Sequence, residues 1–272
     1  MQDMYMTLST SGSSNVSTQN NNQIAGKDAL SSKIANARLV TSYGYDSSIE
    51  SMDTISMGLY FKDDDAVENR MPIEWIVLDR KGDKALLLSK YVIDCKSYHD
   101  KYENVNWEGC ALRKWLNNDF YNLAFNSSEK DKIQNTNLVN SANADTKIEG
   151  GNNTYDKIFC LSIDEVKQYF GTGDKTSKGY QLGQNVSTRG TSYAKEVVNA
   201  GQRLWVFDYA INTDADKSER RWADGNSSFW LRSPGNYPKA AALVDYASYL
   251  DTKGYGGDNK LTGVRPAMWV TY

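Results

Sequence analysis

Near its C-terminus the chain reads Phe229-Trp-Leu-Arg-Ser-Pro-Gly235 and, after an intervening segment, Gly263-Val-Arg-Pro-Ala-Met-Trp-Val270. We interpret these two stretches as a rigid frame, because binding residues are usually held on loops and strand edges by a fixed support. Within the frame, Arg232 and Arg265 are predicted to pair with carboxylates or carbonyls beneath the segment that separates the two stretches. The scaffold residues are Trp230, Arg232, Arg265 and Trp269, together with Pro266.

The segment between the two stretches combines a predicted core strand, residues 240–244, with tyrosines and small polar residues. Tyrosine gives a large contact area at low entropic cost, while Asn and Ser supply adaptable hydrogen bonds. The predicted ligand contacts are Asn236, Tyr237, Lys239, Asp245, Tyr246, Ser248, Tyr249, Asp251, Tyr255, Asp258 and Asn259. A polar hairpin with tyrosines on its outer face would have the same composition, so composition alone leaves both interpretations open.

Upstream of this segment the pattern is rich in β-strands. Residues 57–61 predict one strand, and residues 73–78 and 84–89 predict a hairpin around the polar, Gly-containing turn at 80–83. A further apolar run predicts a strand over residues 157–161.

Two helical regions are expected within this β-rich part. Apolar residues recur at spacings of three and four over residues 111–125, which predicts an amphipathic helix or a broken pair of helices. Residues 127–133 are typical of an N-capped helical turn. A second helix is predicted over residues 162–170, where Ser162 and Glu165 have the spacing of a capping box.

The N-terminal part of the chain has little to bury. Residues 7–25 are rich in Ser, Thr, Asn and Gln, a composition typical of flexible segments. Residues 26–39 contain only a weak helical pattern. We therefore predict a flexible tail or linker over residues 1–56, which can contain a short helix within residues 26–39, and a folded domain over residues 57–272.

Charge and hydropathy exclude some classes of function. The chain has 31 Lys and Arg against 34 Asp and Glu, a formal net charge of −3. This balance argues against nucleic-acid binding through a broad basic face. The chain contains no run of about 18 apolar residues, so no membrane span is predicted. The first residues lack the basic and apolar regions of a signal peptide, so the sequence alone gives no compartment.

The residues that usually carry catalysis are sparse. Cys95, Cys110 and Cys160 cannot all pair within one chain, and we predict that they are buried reduced thiols. A serine hydrolase is not expected, because the GxSxG motif is absent and His99 is the only imidazole. Burial could in principle raise the pKa of Glu74, but a half-exposed strand position is the expected outcome. We therefore expect no catalytic residues and no cofactor.

An acidic loop at residues 212–219 is a candidate calcium site, because it contains Asp214, Asp216 and Glu219. Calcium takes six to eight oxygen ligands, and an EF-hand loop needs a Gly at its sixth position and a Glu at its twelfth. The loop lacks this arrangement. It is therefore predicted to be a solvated acidic loop, and no metal site is expected.

Several blocks of the chain resemble a large bacterial family of unknown function that looks like a branch of the C-type-lectin-like and formylglycine-generating-enzyme fold. The resemblance runs from about residue 57 to residue 272 and rests on the order and spacing of the blocks. It implies an α+β fold of mostly antiparallel strands with two or so helices. Besides the two C-terminal stretches, the blocks are Pro72-Ile-Glu-Trp75, Ala85-Leu-Leu-Leu-Ser-Lys-Tyr91, Leu112-Arg-Lys-Trp-Leu-Asn117 and Leu161-Ser-Ile-Asp-Glu-Val166.

Several members of that family resemble variable proteins of diversity-generating retroelements, which mutate adenines within a C-terminal coding segment. The resemblance implies a non-enzymatic binding protein of a phage or bacterium, whose surface at about 236–259 is rewritten while its scaffold stays fixed. The expected ligand is a protein in preference to a glycan, and the expected location is a phage virion or a bacterial cell surface.

Two alternatives remain open beside this interpretation. In the first alternative, the chain is a degenerate enzyme of the formylglycine-generating type. It departs from the pattern of that class because no cysteine follows Cys160. Calcium-dependent lectins carry a Glu-Pro-Asn or Gln-Pro-Asp triplet, which is absent here. The other alternative is an assembly module in which the tyrosines form an interface between subunits.

Overall fold

Antiparallel strands make up most of the regular structure in residues 29–61, 68–195 and 225–272, the part of the chain that this computed structural model describes. A few short helices pack with these strands. The α+β class with mostly antiparallel strands is therefore confirmed.

The strands are β1 (Ile55–Phe61), β2 (Arg70–Lys81), β3 (Lys84–Ser89), β4 (Asp94–Cys95), β5 (Thr136–Leu138), β6 (Thr154–Asp156), β7 (Asp174–Thr176), β8 (Gly179–Gln181), β9 (Phe229–Pro234), β10 (Ala240–Val244), β11 (Tyr249–Gly256), β12 (Gly263–Val264) and β13 (Ala267–Thr271). The α-helices are α1 (29–36), α2 (Ala111–Trp115), α3 (Tyr121–Ala124), α4 (Ser127–Lys130), α5 (Ile163–Phe170) and α6 (Ser192–Lys195). A π-helical turn (Leu116–Phe120) joins α2 to α3, and 3-10 turns occupy Val40–Ser42, Ile49–Ser51 and Gln184–Val186.

One sheet has the strand order β1-β2-β3-β13. The predicted hairpin at 73–89 is confirmed as β2–β3, and its tight turn uses Gly82 at φ 61°, a conformation that glycine adopts without strain. The last strand of the chain, β13, pairs antiparallel with β3 from Ala267↔Leu88 to Thr271↔Lys84. The end of the chain is therefore built into the sheet that its early hairpin begins.

The other large sheet has the order β4-β12-β9-β10-β11-β8-β7. Every residue of β9 and β10 is buried, so the predicted core strand at 240–244 is confirmed. All pairs in this sheet are antiparallel except β12–β9, which is parallel through Gly263↔Phe229. The two C-terminal stretches therefore meet side by side in the protein core.

The helices follow their local signals with one shift. Helix α5 begins at the predicted capping box, in which the side chains of Ser162 and Glu165 each accept a hydrogen bond from the other's backbone N–H. The capping box of α4 is formed by Asn126 and Glu129, so the cap of the helical turn predicted over residues 127–133 lies at the residue before that range. The helix predicted over 111–125 is confirmed as a run interrupted by the π-helical turn.

The predicted strand at residues 157–161 is wrong. Only one bridge, Phe159↔Ala267, forms there, and the neighbouring strand β6 ends at Asp156. The side-chain oxygen of Asn117 accepts hydrogen bonds from the backbone N–H groups of Lys157, at 2.8 Å, and Ile158, at 3.2 Å. These donors are used by a side chain, so they are not available for a strand ladder.

The folded unit begins earlier than residue 57. Ile34, Val40, Ile49 and Met52 are buried in the same core as the strands. In addition, the guanidinium of Arg80 donates to the backbone carbonyl of Ile34 at 2.9 Å. The prediction of a flexible segment to residue 56 is therefore wrong for residues 34–52, whose apolar side chains are too widely spaced to give a clear periodic signal.

Two sequence predictions lie outside the described residues: the polar segment at 7–25 and the acidic loop at 212–219 with Asp214, Asp216 and Glu219. Within the part that is described, no helix has the length and apolar character needed to cross a membrane. Across that same part, no cluster of three or more His, Cys, Asp or Glu side chains is arranged to hold a metal ion.

Candidate functional site

The frame beneath the predicted surface is buried and hydrogen-bonded. The Trp230 side chain is fully buried, and its indole N–H donates to the carbonyl of Lys96 at 2.8 Å. Arg232 is 4 % exposed and donates to Glu165 Oε1 at 2.9 Å and to the carbonyl of Cys160 at 3.0 Å. These two side chains fix strand β9 to the loop after β4 and to helix α5.

Arg265 holds the other side of the frame, and its partners among the described residues are carbonyl groups. Its guanidinium donates to the carbonyls of Ser89, at 2.9 Å, and Val186, at 2.8 Å. Complete burial lowers its pKa to about 9. The residue therefore acts as a buried link between three chain segments, and it is not accessible to a ligand.

A first group of exposed and half-buried residues lies at one end of the β10–β11 hairpin. We call Tyr102, Tyr237, Lys239 and Asp258 the first cluster. The rings of Tyr102 and Tyr237 meet edge to face with centroids 6.4 Å apart, and Lys239 Nζ lies 4.7 Å from the centroid of Tyr102. A hydrogen bond with Tyr102 raises the pKa of Tyr237. Amphipathic rings beside a cation and a carboxylate are the side-chain types of a contact surface.

Tyr102 was not predicted from the sequence, because it lies far from the C-terminal segment along the chain. Backbone hydrogen bonds bring its loop, residues 97–105, against the hairpin: His99 donates to Gly257 at 2.9 Å, and Val105 donates to Pro238 at 3.0 Å. The side chain of Tyr102 is 54 % exposed. It is the most exposed aromatic residue of the first cluster.

A second group lies on β11 and its preceding turn. We call Tyr246, Tyr249, Asp251 and Tyr255 the second cluster. Tyr249, Asp251 and Tyr255 share one face of the strand. Asp251 and Tyr255 pair with Leu243 and Ala241, which are alternate residues of β10, and Tyr249 lies two residues before Asp251. Burial is the main cause that raises the pKa of Tyr246 and Tyr255, whose hydroxyls also interact with each other. This face is partly open to solvent.

Two predicted contact residues instead build the turn between β10 and β11. Asp245 Oδ1 accepts hydrogen bonds from the backbone N–H groups of Ala247, at 2.9 Å, and Tyr249, at 2.8 Å. Ser248 is fully buried at φ 65°, and its hydroxyl bonds to that of Ser187. The prediction that Ser248 contacts a ligand is therefore wrong, because the residue closes a turn inside the protein.

The remaining predicted contacts lie on the loops that flank β11. Asn236 is exposed, and its backbone N–H bonds to the carbonyl of Lys253 at 2.8 Å. The side-chain oxygen of Asn259 accepts from Leu261 N at 2.8 Å and from Thr262 Oγ1 at 3.2 Å. The side chain of Asn236 is thus exposed to solvent, whereas that of Asn259 forms hydrogen bonds within its own loop.

Comparison with known families places the whole of this surface within one recognised domain. Residues 82–272 match the model described as "Domain of unknown function (DUF6273)". The chain belongs to the DUF6273 family. No curated protein and no solved structure matches the chain. In this DUF6273 protein the match takes in both clusters and the frame, while β1 and β2 precede it and still belong to the same sheet as β13.

The thiols of the DUF6273 protein are poorly suited to nucleophilic or ligand chemistry. Cys95, Cys110 and Cys160 are free and buried, as predicted. Burial raises the pKa of Cys95 and of Cys110 to about 12, and that of Cys160 still further. Because the thiolate is the reactive form, these side chains are unreactive at neutral pH.

His99 and Glu74 also have structural partners. His99 Nδ1 accepts from the backbone N–H of Ala111 at 3.2 Å, and its Nε2 lies 3.0 Å from Glu103 Oε1. The imidazole therefore joins the loop of Tyr102 to the start of α2. Glu74 is half-buried and pairs with Lys90, whose Nζ lies 3.7 Å from Glu74 Oε2.

A separate cleft of about 550 Å³ lies between α5, β5 and β13 of the DUF6273 protein. Its walls include two of the predicted scaffold residues, Arg232 and Trp269, and none of the predicted contact residues. Sequence reasoning missed this cleft. No signal in the sequence indicates it: Trp269 is only partly buried in a strand whose other apolar residues are fully buried, and this exposure is visible only in the folded protein.

Proposed function

We propose that this DUF6273 protein is a non-enzymatic ligand-binding protein with a C-type-lectin-like fold, whose binding site is the C-terminal surface at about 236–259. The observation that carries the proposal is the contrast between a buried frame and an exposed aromatic surface on the same hairpin. Strand β10 is wholly buried, whereas Tyr255 is 43 % exposed on the strand beside it.

The contrast favours binding because one set of side chains holds the fold and another set is left to contact a partner. Arg232 and Arg265 donate their hydrogen bonds to interior carbonyls and to Glu165, so the contacts of the frame do not involve the outer side chains of the hairpin. Tyrosines on such a frame can contact a partner with little loss of conformational entropy. Rigid support of this kind limits the cost of ordering the surface on binding.

The loop of Tyr102 enlarges the proposed site. The first cluster combines two tyrosines that meet edge to face with Lys239 and Asp258, and thus offers hydrogen-bond donors and acceptors together with side chains of both charges. A mixed surface with aromatic anchors is typical of protein–protein interfaces. This composition supports a protein ligand in preference to a glycan at this surface.

We further propose that the protein is a variable protein of a phage or bacterium, diversified by a retroelement. If this is so, the codons for Tyr237, Tyr246, Tyr249 and Tyr255 should vary, because these side chains reach the surface. The codon for Ser248 should stay constant, because its side chain is buried within the β10–β11 turn.

A pair of display libraries tests the proposed binding role. One library randomises residues 237, 246, 249 and 255, and the matched control randomises residues 241–244 of β10. We expect most members of the first library to resist protease, and selection against hen lysozyme as the probe to yield binders whose affinity depends on the randomised positions. Loss of protease resistance in the first library as severe as in the control would contradict the proposal.

A further inference from the structure

We propose that the cleft between α5, β5 and β13 is a second binding site, which takes a neutral oligosaccharide. The site is separate from the C-terminal surface and does not depend on it. Three properties of the cleft support this proposal: its aromatic wall, its amide-rich lining and its balance of charge.

The aromatic wall is provided by Trp269. This residue pairs with Leu86 across β13 and β3, so both side chains lie on the same face of the sheet, and both line the cleft. Lys81 Nζ lies 5.3 Å from the indole centroid, which places a cation beside the ring. The carbon-bound hydrogens of a pyranose ring form an apolar face, and a partly exposed indole offers a matching surface.

The opposite walls carry neutral polar side chains. Asn135 and Asn137 are exposed beside β5, and Gln168 is exposed on α5. Each amide has two donors and an acceptor oxygen, which match hydroxyl groups that both donate and accept. A volume of about 550 Å³ lies within the usual range for ligand sites.

The charges around the cleft favour a neutral ligand. Arg232 is paired with Glu165, and Lys81 Nζ lies 3.6 Å from Asp79 Oδ2. The two other ionisable side chains of opposite sign are Lys84 and Asp164. Because neither sign dominates, the lining gives no preference for a phosphate, a carboxylate or a cation.

An array of neutral oligosaccharides built from hexoses and N-acetylhexosamines, probed with the full chain, tests the proposal. The best oligosaccharide is then titrated calorimetrically. We expect Trp269→Ala to weaken binding at least tenfold, as expected for loss of a main contact. Asn137→Ala with Gln168→Ala should weaken binding severalfold, and this variant guards against misfolding because both side chains are exposed. Tyr102→Ala is the matched aromatic control and should bind normally.

Three outcomes would overturn the proposal. The first is that no neutral oligosaccharide binds. The second is that only sialylated or sulfated glycans, added to the array as anionic probes, are bound. The third is that binding survives both cleft variants and is lost with Tyr102→Ala or Tyr255→Ala, which would place the glycan on the C-terminal surface.

Discussion

Arg232 of β9 donates from both terminal nitrogens to the two carboxylate oxygens of Glu165, in the first turn of α5. The same carboxylate accepts the backbone N–H of Ser162 at 2.8 Å and so completes the capping box of the helix. One side chain therefore starts a helix and compensates a buried charge in the neighbouring sheet. Through this pair, the end of the C-terminal frame is fixed to an element that begins nearly seventy residues earlier.

Replacing Glu165 should lower the free energy of unfolding by far more than is usual for a partly exposed side chain. Glu165→Ala removes the cap and leaves Arg232 buried without its counter-charge, so we expect the free energy of unfolding to fall by about 3 kcal/mol or more. Gln168→Ala, on the exposed side of the same helix, should change it by less than about 0.5 kcal/mol. Urea denaturation at pH 7 measures both. A loss below about 1 kcal/mol for Glu165→Ala would show that the pair does not hold the frame.

Asp245 makes the turn of the binding hairpin sensitive to pH. Burial raises its pKa from 3.8 to about 6 in the folded protein. Protonated Asp245 is therefore favoured in the folded state, and stability falls as the pH rises from about 4 to about 6, by at most about 3 kcal/mol. The charged form costs stability at neutral pH, despite the hydrogen bonds that it accepts.

Asp245→Asn should therefore stabilise the protein at pH 7 by about 1 to 2 kcal/mol. The amide oxygen can still accept from Ala247 and Tyr249, and no charge is buried. Thermal unfolding at pH 7 and at pH 4 measures the effect, which should nearly vanish at the lower pH. Asp251→Asn, on the partly open face of β11, is the control. Equal or lower stability of Asp245→Asn at pH 7 would contradict the assignment.

Asp145 gives a pH dependence of the opposite sign. Partial burial would raise its pKa, but hydrogen bonds from Lys175, Thr252 and Tyr180 overcome this effect and lower the pKa to about 2. The stabilisation is complete above the unfolded pKa of about 4 and is lost as the pH falls towards 2. Because Asp145 and especially Lys175 are solvent-accessible, the effect should stay below about 1 kcal/mol.

The prediction is that Asp145→Asn lowers the free energy of unfolding at pH 7 and low ionic strength, and that this difference shrinks at pH 3 and in about 0.5 M salt. Guanidinium chloride is unsuitable because it screens charge, so urea is the denaturant of choice. A difference that is independent of both pH and salt would mean that the carboxylate acts through packing and not through its charge.

Tyr255 and Trp230 should respond very differently to truncation, although both lie in the same sheet. Trp230→Ala opens a cavity in the core and should cost about 3 to 5 kcal/mol. Tyr255→Ala removes a side chain that is 43 % exposed and should cost less than about 1.5 kcal/mol. Differential scanning calorimetry of the two variants distinguishes them. Comparable losses would place Tyr255 in the core and remove the basis for its contact role.

Local signals in the sequence were sufficient for several elements. The β2–β3 hairpin has an apolar run on each side of a Gly-containing turn, and the capping box at Ser162 has the required spacing. Strand β10 consists of consecutive apolar residues, which only a buried strand accommodates at this length. In each case, neighbouring residues alone determine the structure.

Features that depend on distant parts of the chain were missed. Ser248 is of a type common in binding loops, but its burial depends on Ser187 in a distant segment. Tyr102 joins the surface only because its loop bonds to Gly257 and Pro238. The cleft beside Trp269 is formed by segments that lie more than a hundred residues apart, and no local pattern encodes it.

The most direct test of the diversified binding surface is the DNA sequence around the 3′ end of this gene. The account predicts a nearby reverse-transcriptase gene and a near-copy of the codons for residues 236–259 that differs only at adenines. The differences should fall on Tyr237, Tyr246, Tyr249 and Tyr255 and spare Ser248 and the core of β10. Absence of such a copy, or differences concentrated on residues 240–244, would contradict it.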